Sequence, residues 1–430
     1  MSMTLIMFIS FFALLLIGVP IAYCLGLAPL IAIVLSGSAI DIAITASKMY
    51  NSNNSFVLLS LPFFILAGNL MCEGGLSNKL IDFCKSFIGW LPGGISMVAT
   101  VACFFFSALS GSNAATTAAI GGMMIPEMEN NGYDRNLSSA IVAASGTTGQ
   151  VVPPSTPMII YASSAGCSVG AMFICGFLPG IVMSLSIMAV SFFVCKKQGI
   201  KGVKFNGLKN VAVTFLKAIP ALLMPVIILG GIYSGIFTPT EAAVVAAFYS
   251  LIVALFIYKG IKVKDLPRIF IDSAKTAATG MAVITGAAMF SYILTIEHIP
   301  EKLANFMINT STNVIIIMFL INIVLLIAGC FITVTSAIVI LTPIFLPVVV
   351  ALGVSPVAFG VIMVVNLSIG SITPPVGGNI FVAQSIAGEK SSIEGIIKKI
   401  LPYLAVLIVD LLIISLFPNI LTTIGTWLGA

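Results

Sequence analysis

Two pairs of adjacent prolines interrupt long apolar stretches of this sequence, and both pairs are surrounded by residues that carry oxygen. Pro153-Pro154 lies in the segment SGTTGQVVPPSTP, and Pro374-Pro375 lies in the segment GSITPPVGG. Proline has no backbone N–H and clashes with the preceding turn, so each pair should unwind a helix and free several carbonyl oxygens. Together with Ser and Thr hydroxyls and the amide of Asn113, these carbonyls are suited to holding a cation.

The kind of cation is indicated by the charges that are absent. No Asp, Glu, Lys, Arg or His occurs from Asn136 to Cys195, or from Leu303 to Gly388. Carriers that move protons generally use carboxylates or histidines inside the membrane. The sequence therefore favours Na+ held by carbonyl and hydroxyl oxygens. Helix N-termini beside the breaks would offer partial positive charge to an anionic substrate.

The elements that must position these residues are membrane helices. Of the 430 residues, 59% are hydrophobic and 8% are charged, which excludes a soluble domain. A helical span needs about 20 apolar residues, and the chain offers about a dozen such stretches. The net charge of +5 comes from lysines in short loops, so nucleic-acid binding is not indicated. The eight cysteines form no CxxC or Cys/His cluster, so no transition-metal site is expected.

The two proline pairs belong to a repeat with a constant offset. GQVVPPSTPMIIYA from Gly149 resembles GSITPPVGGNIFVA from Gly370, an offset of 370 − 149 = 221. The same offset pairs Pro126 with Pro347 without a gap. The two halves of the chain are therefore predicted to be copies of one fold.

The lysines indicate how the two copies are oriented. The basic residues form three clusters: Lys196, Lys197, Lys201, Lys204, Lys209 and Lys217; Lys259, Lys262, Lys264, Arg268 and Lys275; and Lys390, Lys398 and Lys399. Two predicted spans separate the first two clusters, which therefore lie on one side, the cytoplasm. The helix near 169–195 then runs inward and the final helix, about 401–427, runs outward. Inverted repeats with broken helices are typical of transporters.

Each repeat also contains a segment that should enter the membrane and turn back. The first is FSALSGSNAATTAAIGGMMIPEM, Phe106 to Met128, and the second is GCFITVTSAIVILTPIFLP, Gly329 to Pro347. Polar turns occur at membrane depth only where they are buried in protein or line a cavity. The predicted fold is an all-α integral membrane transporter with two inverted repeats, each containing a re-entrant hairpin and a proline-broken helix.

Four motifs carry a resemblance to a known family. SGSNAATTAAIGGMMIPEM, SGTTGQVVPPSTPMIIYA, GIFTPTEAA and SITPPVGGNIF resemble the large membrane subunit of tripartite ATP-independent periplasmic (TRAP) transporters. The likeness extends over essentially the whole chain. It implies a Na+-driven elevator transporter of the bacterial inner membrane, similar to the ion-transporter superfamily, which is not an enzyme.

The resemblance also implies partners and a substrate class. A periplasmic binding protein would deliver an organic acid anion, either sialic acid (N-acetylneuraminate) or a four-carbon dicarboxylate, with overall resemblance favouring sialic acid slightly. A small four-helix membrane subunit is expected as a separate chain, because the large-subunit pattern begins at once. Membrane lipids complete the expected surroundings.

The resemblance divides the single domain, residues 1–430, into a scaffold and a moving transport part. The scaffold would comprise about 1–90, 169–260 and 398–430. The transport part would comprise about 91–168 and 268–397. The amphipathic run from Leu76 to Gly94 should lie along the membrane interface and brace the part that moves.

In the family, Na+ ions sit where hairpin turns meet helix breaks. The first site would draw on Ser110, Ser112, Asn113, Gly149, Val152 and Pro153. The second would draw on Gly329, Thr333, Thr335, Thr373, Pro374 and Gly378. The second hairpin has no Asn opposite Asn113, so the two sites should differ. The substrate pocket is expected between hairpins and breaks, with candidate hydroxyls Ser145, Thr148, Ser155, Ser336 and Ser371.

Three other classes of protein remain as alternatives. A stand-alone Na+-coupled carrier of a related fold would have the same repeats but need no binding protein. An ion channel also interrupts helices with a polar filter, but its flux would not saturate. An intramembrane enzyme is disfavoured because the candidate serines have no general base in their stretches.

Overall fold

The computed structural model describes residues 2–37, 40, 42–310 and 313–427, and these form twenty α-helices and no strand. The first half contains α1 (Met3–Leu16), α2 (Ile21–Ser36), α3 (Ile42–Asn53), α4 (Ser60–Glu73), α5 (Leu76–Ile88), α6 (Gly94–Ser110), α7 (Asn113–Asn130), α8 (Arg135–Gly146), α9 (Thr156–Ala165) and α10 (Val169–Lys197). The second half contains α11 (Leu208–Tyr233), α12 (Pro239–Ile252), α13 (Leu266–Ile296), α14 (Ile299–Thr310), α15 (Val314–Phe331), α16 (Val334–Ala351), α17 (Pro356–Gly370), α18 (Gly378–Ala387), α19 (Ile393–Leu416) and α20 (Pro418–Trp427).

Helix length and composition agree with a chain that crosses a membrane many times. Within the described residues, seven helical segments are long and apolar enough to span: α10, α11, α12 with the π-helical turn Val253–Ile257 that continues it, α13, α15, α16 and α19. Shorter apolar helices include α1, α2, α4, α6 and α17. The all-helical, polytopic fold predicted from the sequence is confirmed.

The repeat is visible in the helix boundaries. The helices α7 and α16 each contain 18 residues and begin 221 residues apart, at Asn113 and Val334. Both are capped by the residue before them, because Ser112 accepts from the N–H of Ala115 and Thr333 from that of Ser336. The offset predicted from the proline motifs therefore also sets where the hairpin helices start.

The two repeats are interlocked rather than side by side. The helix α2 of the first repeat packs on α13 of the second. The helix α12, which is the counterpart of α2 in the second repeat, packs on α4 of the first. Likewise α18 packs on α7 and α8, whereas α9 packs on α16 and α17. The helix that follows each break is thus held by the hairpin of the other repeat.

One helix differs between the repeats. In the first repeat, Asn53 ends α3 and the residues 54–59 lead to α4, whereas the corresponding positions of the second repeat lie inside the continuous α13. Asn and Ser favour turns because their side chains compete for backbone hydrogen bonds. The segment NSNNS, which begins at Asn51, therefore interrupts a helix that the equivalent segment DSAKT, from Asp272, continues.

The predicted final span, about 401–427, is wrong as a single helix. The helix α19 ends at Leu416, and α20 begins at Pro418 after Phe417 adopts a non-helical backbone of φ −124° and ψ 57°. Proline restricts the residue before it and lacks the N–H that would continue the ladder. The chain therefore breaks at Phe417.

The contacts of α13 bear on the predicted division into scaffold and transport part, which stays a prediction. Residues 268–397 were assigned to the transport part, and α13 lies in this range. Most of its contacts are with α2, α3 and α4, and it also contacts α16. The helix α13 therefore lies along the predicted scaffold and presents one side to the second hairpin.

Candidate functional site

The tip of the first hairpin lies against the first helix break. Hairpin 1 is α6 and α7, with its tip at Gly111 and Ser112. Break 1 is the segment 151–155 together with the two residues that flank it, Gln150 and Thr156. Gly111 has φ +58°, which favours glycine and permits the tight turn. Its carbonyl accepts a hydrogen bond of 3.0 Å from the hydroxyl of Thr156. Tip and break are therefore joined directly.

The tip of hairpin 1 approaches the residues before break 1 so closely that only glycine fits at position 149. A Cβ atom on Gly149 would lie 2.5 Å from the carbonyl oxygen of Ser112 and 2.7 Å from the hydroxyl oxygen of Thr116. Such distances are far below ordinary contact. Ser110 and Thr116 share a hydrogen bond of 2.7 Å in the same place. Four oxygen-bearing residues thus converge at the first predicted Na+ site.

Buried oxygen atoms without a donor lie at this site. The side-chain oxygens of Asn113 and Thr117 are buried, and neither has a hydrogen-bond partner among the described residues. The amide oxygen of Gln150 is likewise buried without a hydrogen-bond partner among the described residues. An unsatisfied buried acceptor costs roughly 1–3 kcal/mol, so three of them favour a bound cation. Of the other predicted ligands, Val152 packs on Gly180 with its side chain buried.

The second hairpin meets the second break in a similar way. Hairpin 2 is α15 and α16, with its tip at Ile332 and Thr333, and break 2 is the segment 371–377. The thiol of Cys330 donates to the carbonyl of Thr373 over 3.0 Å. A Cβ on Gly370 would lie 2.6 Å from the Cα of Gly329, so the helix backbones touch.

The other residues of the second predicted Na+ site lie around this contact. Thr333 caps α16 and bonds the Ser336 hydroxyl over 2.8 Å. Thr373 donates its hydroxyl to the carbonyl of Ile369, and Pro374 follows it in the break. Gly378 begins α18 and is exposed. The structure therefore gathers these residues at tip 2 and break 2, and their role as Na+ ligands stays a prediction.

A hydrogen bond links the two sites across the repeats. The amide nitrogen of Asn113, on hairpin 1, donates to the hydroxyl of Ser371, in break 2, over 3.2 Å. The amide of Asn379 on α18 reaches the carbonyl of Ala143 on α8 over 3.4 Å. The hairpin of one repeat thereby contacts the break of the other.

A cavity of about 490 Å³ lies between both hairpin tips and the helices α4 and α13. The hairpins and break 1 contribute Ser110, Ser112, Gln150, Thr156, Thr333 and Thr335. The helices α4 and α13 contribute Asn69, Cys72, Thr276 and Thr279 on the opposite side. Of the described residues that line it, none is charged. The volume is in the range of small-molecule sites.

Three helix N-termini converge on this uncharged cavity. Ser112 is the N-cap of α7, Thr333 is the N-cap of α16, and Thr156 is the first residue of α9. The first turn of a helix presents free N–H groups and partial positive charge. The cavity can therefore attract an anion without a lysine or arginine.

The five hydroxyl residues predicted to bind substrate do not line the cavity. Ser145 and Thr148 are fully buried and bond Thr100 and Ser107 of α6, each over 2.9 Å. The other three bond within tips and breaks: Ser155 to the carbonyl of Gln150, Ser336 to Thr333, and Ser371 to Asn113. Hydroxyls inside helices bond neighbouring backbone or facing helices, which the sequence alone does not specify.

The sequence indicates only some of the residues that the structure places at the site. Thr116 and Thr117 stand in the polar hairpin motif, so their hydroxyls were detectable as candidates from their position after Asn113. Asn69 on α4 and Thr276 and Thr279 on α13 have no such motif. They are found only because α4 and α13 fold against the hairpins.

Interlocked repeats, re-entrant hairpins and broken helices around a polar cavity define the class of secondary transporters. Within this class, residues 8–420 match the family model described as "Tripartite ATP-independent periplasmic transporter, DctM component". The chain belongs to this family, and the resemblance noted in its motifs is confirmed.

Two relatives and one solved structure illustrate the match. The chain is 45% identical over 413 residues to the isethionate TRAP transporter permease protein DctMQ of Oleidesulfovibrio alaskensis, covering 96% of this chain and 65% of that protein. It is 40% identical over 384 residues to the C4-dicarboxylate TRAP transporter large permease protein DctM of Pseudomonas aeruginosa, covering 89% and 90%. The YdaH transporter of Alcanivorax borkumensis superposes with a TM-score of 0.66 at 14% identity over 89% and 90% of the two chains, which shows the fold alone.

Proposed function

We propose that this chain is the large membrane subunit of a Na+-coupled tripartite transporter that imports a small organic acid anion into a bacterium across the inner membrane. The observation that carries the proposal is the uncharged cavity on which three helix N-termini converge. An anion would be bound there by N–H and hydroxyl groups. Weak, purely polar binding suits a carrier, because the cargo must also be released.

Sodium would couple to this cavity through the hairpin tips. A cation bound by the oxygens of Asn113, Thr117 and Gln150 would hold hairpin 1 against break 1. The same tip supplies Ser110 and Ser112 to the cavity wall. Sodium binding and anion binding would then favour one arrangement of the tip, which is the physical content of coupling.

The cavity lies between α4 of the predicted scaffold and the hairpins and break 1 of the predicted transport part, which supports an elevator movement. Hairpins and break 1 would form the moving wall. The fixed wall would be α4 together with α13, which we assign to the scaffold because most of its contacts are with α2, α3 and α4, in place of the predicted assignment of residues 268–397 to the transport part. When the transport part slides along the scaffold, the anion would move with the hairpins and lose its contacts with α4 and α13. The low Na+ concentration of the cytoplasm would then release Na+ and cargo together.

The relatives bear on the substrate. Their names refer to isethionate and to C4-dicarboxylates, which are small anions with sulfonate or carboxylate groups. The oxygens of such groups accept hydrogen bonds from N–H and O–H donors, which are the donors that line the cavity. Sialic acid, favoured slightly by overall resemblance, stays a candidate for the same assay.

Dependence on a binding protein separates this proposal from a stand-alone carrier. The chain and its small subunit would be reconstituted in proteoliposomes, and a periplasmic binding protein loaded with isethionate, succinate or sialic acid would be added outside. We expect saturable uptake of one of these anions, with uptake near background when the binding protein is omitted. Full uptake without it would support the stand-alone carrier, and flux that never saturates would support a channel.

The rate at which a thiol reagent modifies Cys72 tests whether the substrate occupies the cavity. It lines the cavity from α4, whereas Cys167 is similarly half-buried but lies outside it. We expect a small maleimide to modify both thiols, and Na+ with substrate to slow modification of Cys72 but not of Cys167. Peptide mapping of the labelled protein measures both in one sample. Equal protection of the two thiols would contradict the placement of the substrate beside α4.

A further inference from the structure

A second polar cavity, of about 470 Å³, lies away from the substrate cavity at the end of the amphipathic helix α5. It is bounded by α5, by the loop that follows α10 and by the first turns of α11. The loop is fixed to α5, because the N–H of Val203 donates to the carbonyl of Gly89 over 2.9 Å. Ser86 and Thr214 join α5 to α11 over 2.7 Å. The cavity is therefore a built feature between three elements.

Its position corresponds to the cytoplasmic surface of the membrane. The cavity includes Lys204 from the first lysine cluster, which the positive-inside rule places in the cytoplasm. Trp90 and Phe205 line it with ring centroids 6.2 Å apart. Tryptophan is enriched at the level of lipid headgroups. The cavity thus opens where headgroups are concentrated.

The charges inside this cavity are of both signs. Lys85 is paired with Glu127 of α7 and is neutralised. Lys204 and Asp82 also line the cavity, and neither has an ion-pair or hydrogen-bond partner among the described residues. The cavity therefore presents one unpaired ammonium group and one unpaired carboxylate. The side-chain amides of Asn206 and Asn210 stand beside them.

We propose that this cavity binds the headgroup of phosphatidylethanolamine. The lipid phosphate would accept from Lys204 and from the amides of Asn206 and Asn210, and the primary ammonium of the lipid would donate to Asp82. The acyl chains would follow apolar side chains of α5 and α11 that are exposed, including Phe87, Phe215 and Leu216. A choline headgroup has no N–H for Asp82, and a glycerol headgroup brings no positive charge.

The site is independent of the transported substrate. It would act as a lipid bridge between the amphipathic helix that leads into hairpin 1 and the spanning helix α11. Basic pockets at the cytoplasmic ends of spanning helices commonly bind lipid headgroups. The unpaired carboxylate of Asp82 is what selects a zwitterionic lipid over an anionic one here.

Native mass spectrometry of the complex with its small subunit tests the proposal. The complex would be titrated with phosphatidylethanolamine, phosphatidylcholine and phosphatidylglycerol of identical acyl chains. We expect phosphatidylethanolamine to bind about tenfold more tightly than the other two, the scale of one charge-assisted hydrogen bond. Asp82→Asn should abolish its advantage over phosphatidylcholine. Lys204→Gln should weaken all three lipids.

Matched controls make the outcome decisive. Lys201→Gln removes a lysine of the same loop, and Glu389→Gln removes an exposed carboxylate elsewhere; neither should change lipid binding. Soluble glycerophosphoethanolamine should compete only weakly, because it lacks acyl chains. Equal or tighter binding of phosphatidylglycerol, or an unchanged lipid preference in Asp82→Asn, would overturn the proposal. Strong competition by the soluble headgroup would overturn the assignment to a membrane lipid.

Discussion

Gly149→Ala is expected to reduce Na+-driven uptake about 100-fold, the cost of misplacing a functional group by roughly an ångström. The added methyl group would lie 2.5 Å from the carbonyl oxygen of Ser112 and 2.7 Å from the hydroxyl oxygen of Thr116. The carbonyl belongs to backbone at the hairpin tip and cannot rotate away. The tip must therefore separate from break 1, and the oxygens assigned to the first Na+ site separate with it.

Gly122→Ala is the matched control for this effect. Gly122 lies on α7, in the same hairpin, and a Cβ there would have no neighbour within 4 Å. Alanine also favours helix over glycine by up to about 1 kcal/mol, so the control protein should be at least as stable. Both variants would be compared in initial uptake rate and melting temperature. Uptake by Gly149→Ala at the rate of Gly122→Ala would show that contact between tip and break is not required.

Asn113→Ala is expected to raise the Na+ concentration for half-maximal uptake about tenfold, the equivalent of one strong hydrogen bond or ligand. The side-chain oxygen of Asn113 is buried without a partner, and its nitrogen donates to Ser371 over 3.2 Å. The substitution removes a proposed Na+ ligand and a contact between the repeats together.

Ser371→Ala separates these two contributions. It removes the same hydrogen bond between the repeats but leaves the oxygen of Asn113 in place. We expect its half-maximal Na+ concentration to stay within about threefold of the parent, the range of one ordinary hydrogen bond. Sodium titrations of uptake for both variants provide the comparison. Equal increases would show that the hydrogen bond matters and that the oxygen of Asn113 does not bind Na+.

Local chemistry explains why much of the fold could be predicted from the sequence. The breaks are marked by the proline pairs at 153 and 374, because proline disrupts a helix wherever it stands in the interior. The hairpin tips are marked by Gly111 and by the capping residues Ser112 and Thr333. The constant offset of these local signals is sufficient to indicate the repeat from the sequence.

Features that depend on packing were not predictable in the same way. Ser145 and Thr148 stand in the proline motif, and their role at the substrate stays a prediction. In the structure they face α6 and bond Thr100 and Ser107, a packing that the motif does not specify. Which side of a helix meets a cavity depends on how the repeats interlock. For the same reason, Asn69 and Thr276 carry no sequence signal, although they form the cavity wall opposite the hairpins.

The central claim is that Na+ drives the import of an organic anion through the cavity between the hairpins. The most direct test is uptake of labelled anion into proteoliposomes that contain both membrane subunits, with the loaded binding protein outside. An inward Na+ gradient at equal pH is compared with an inward proton gradient at equal Na+. We predict accumulation only with the Na+ gradient, because no Asp, Glu, His, Lys or Arg is among the described residues that line the cavity. Accumulation driven by the proton gradient alone would contradict the account.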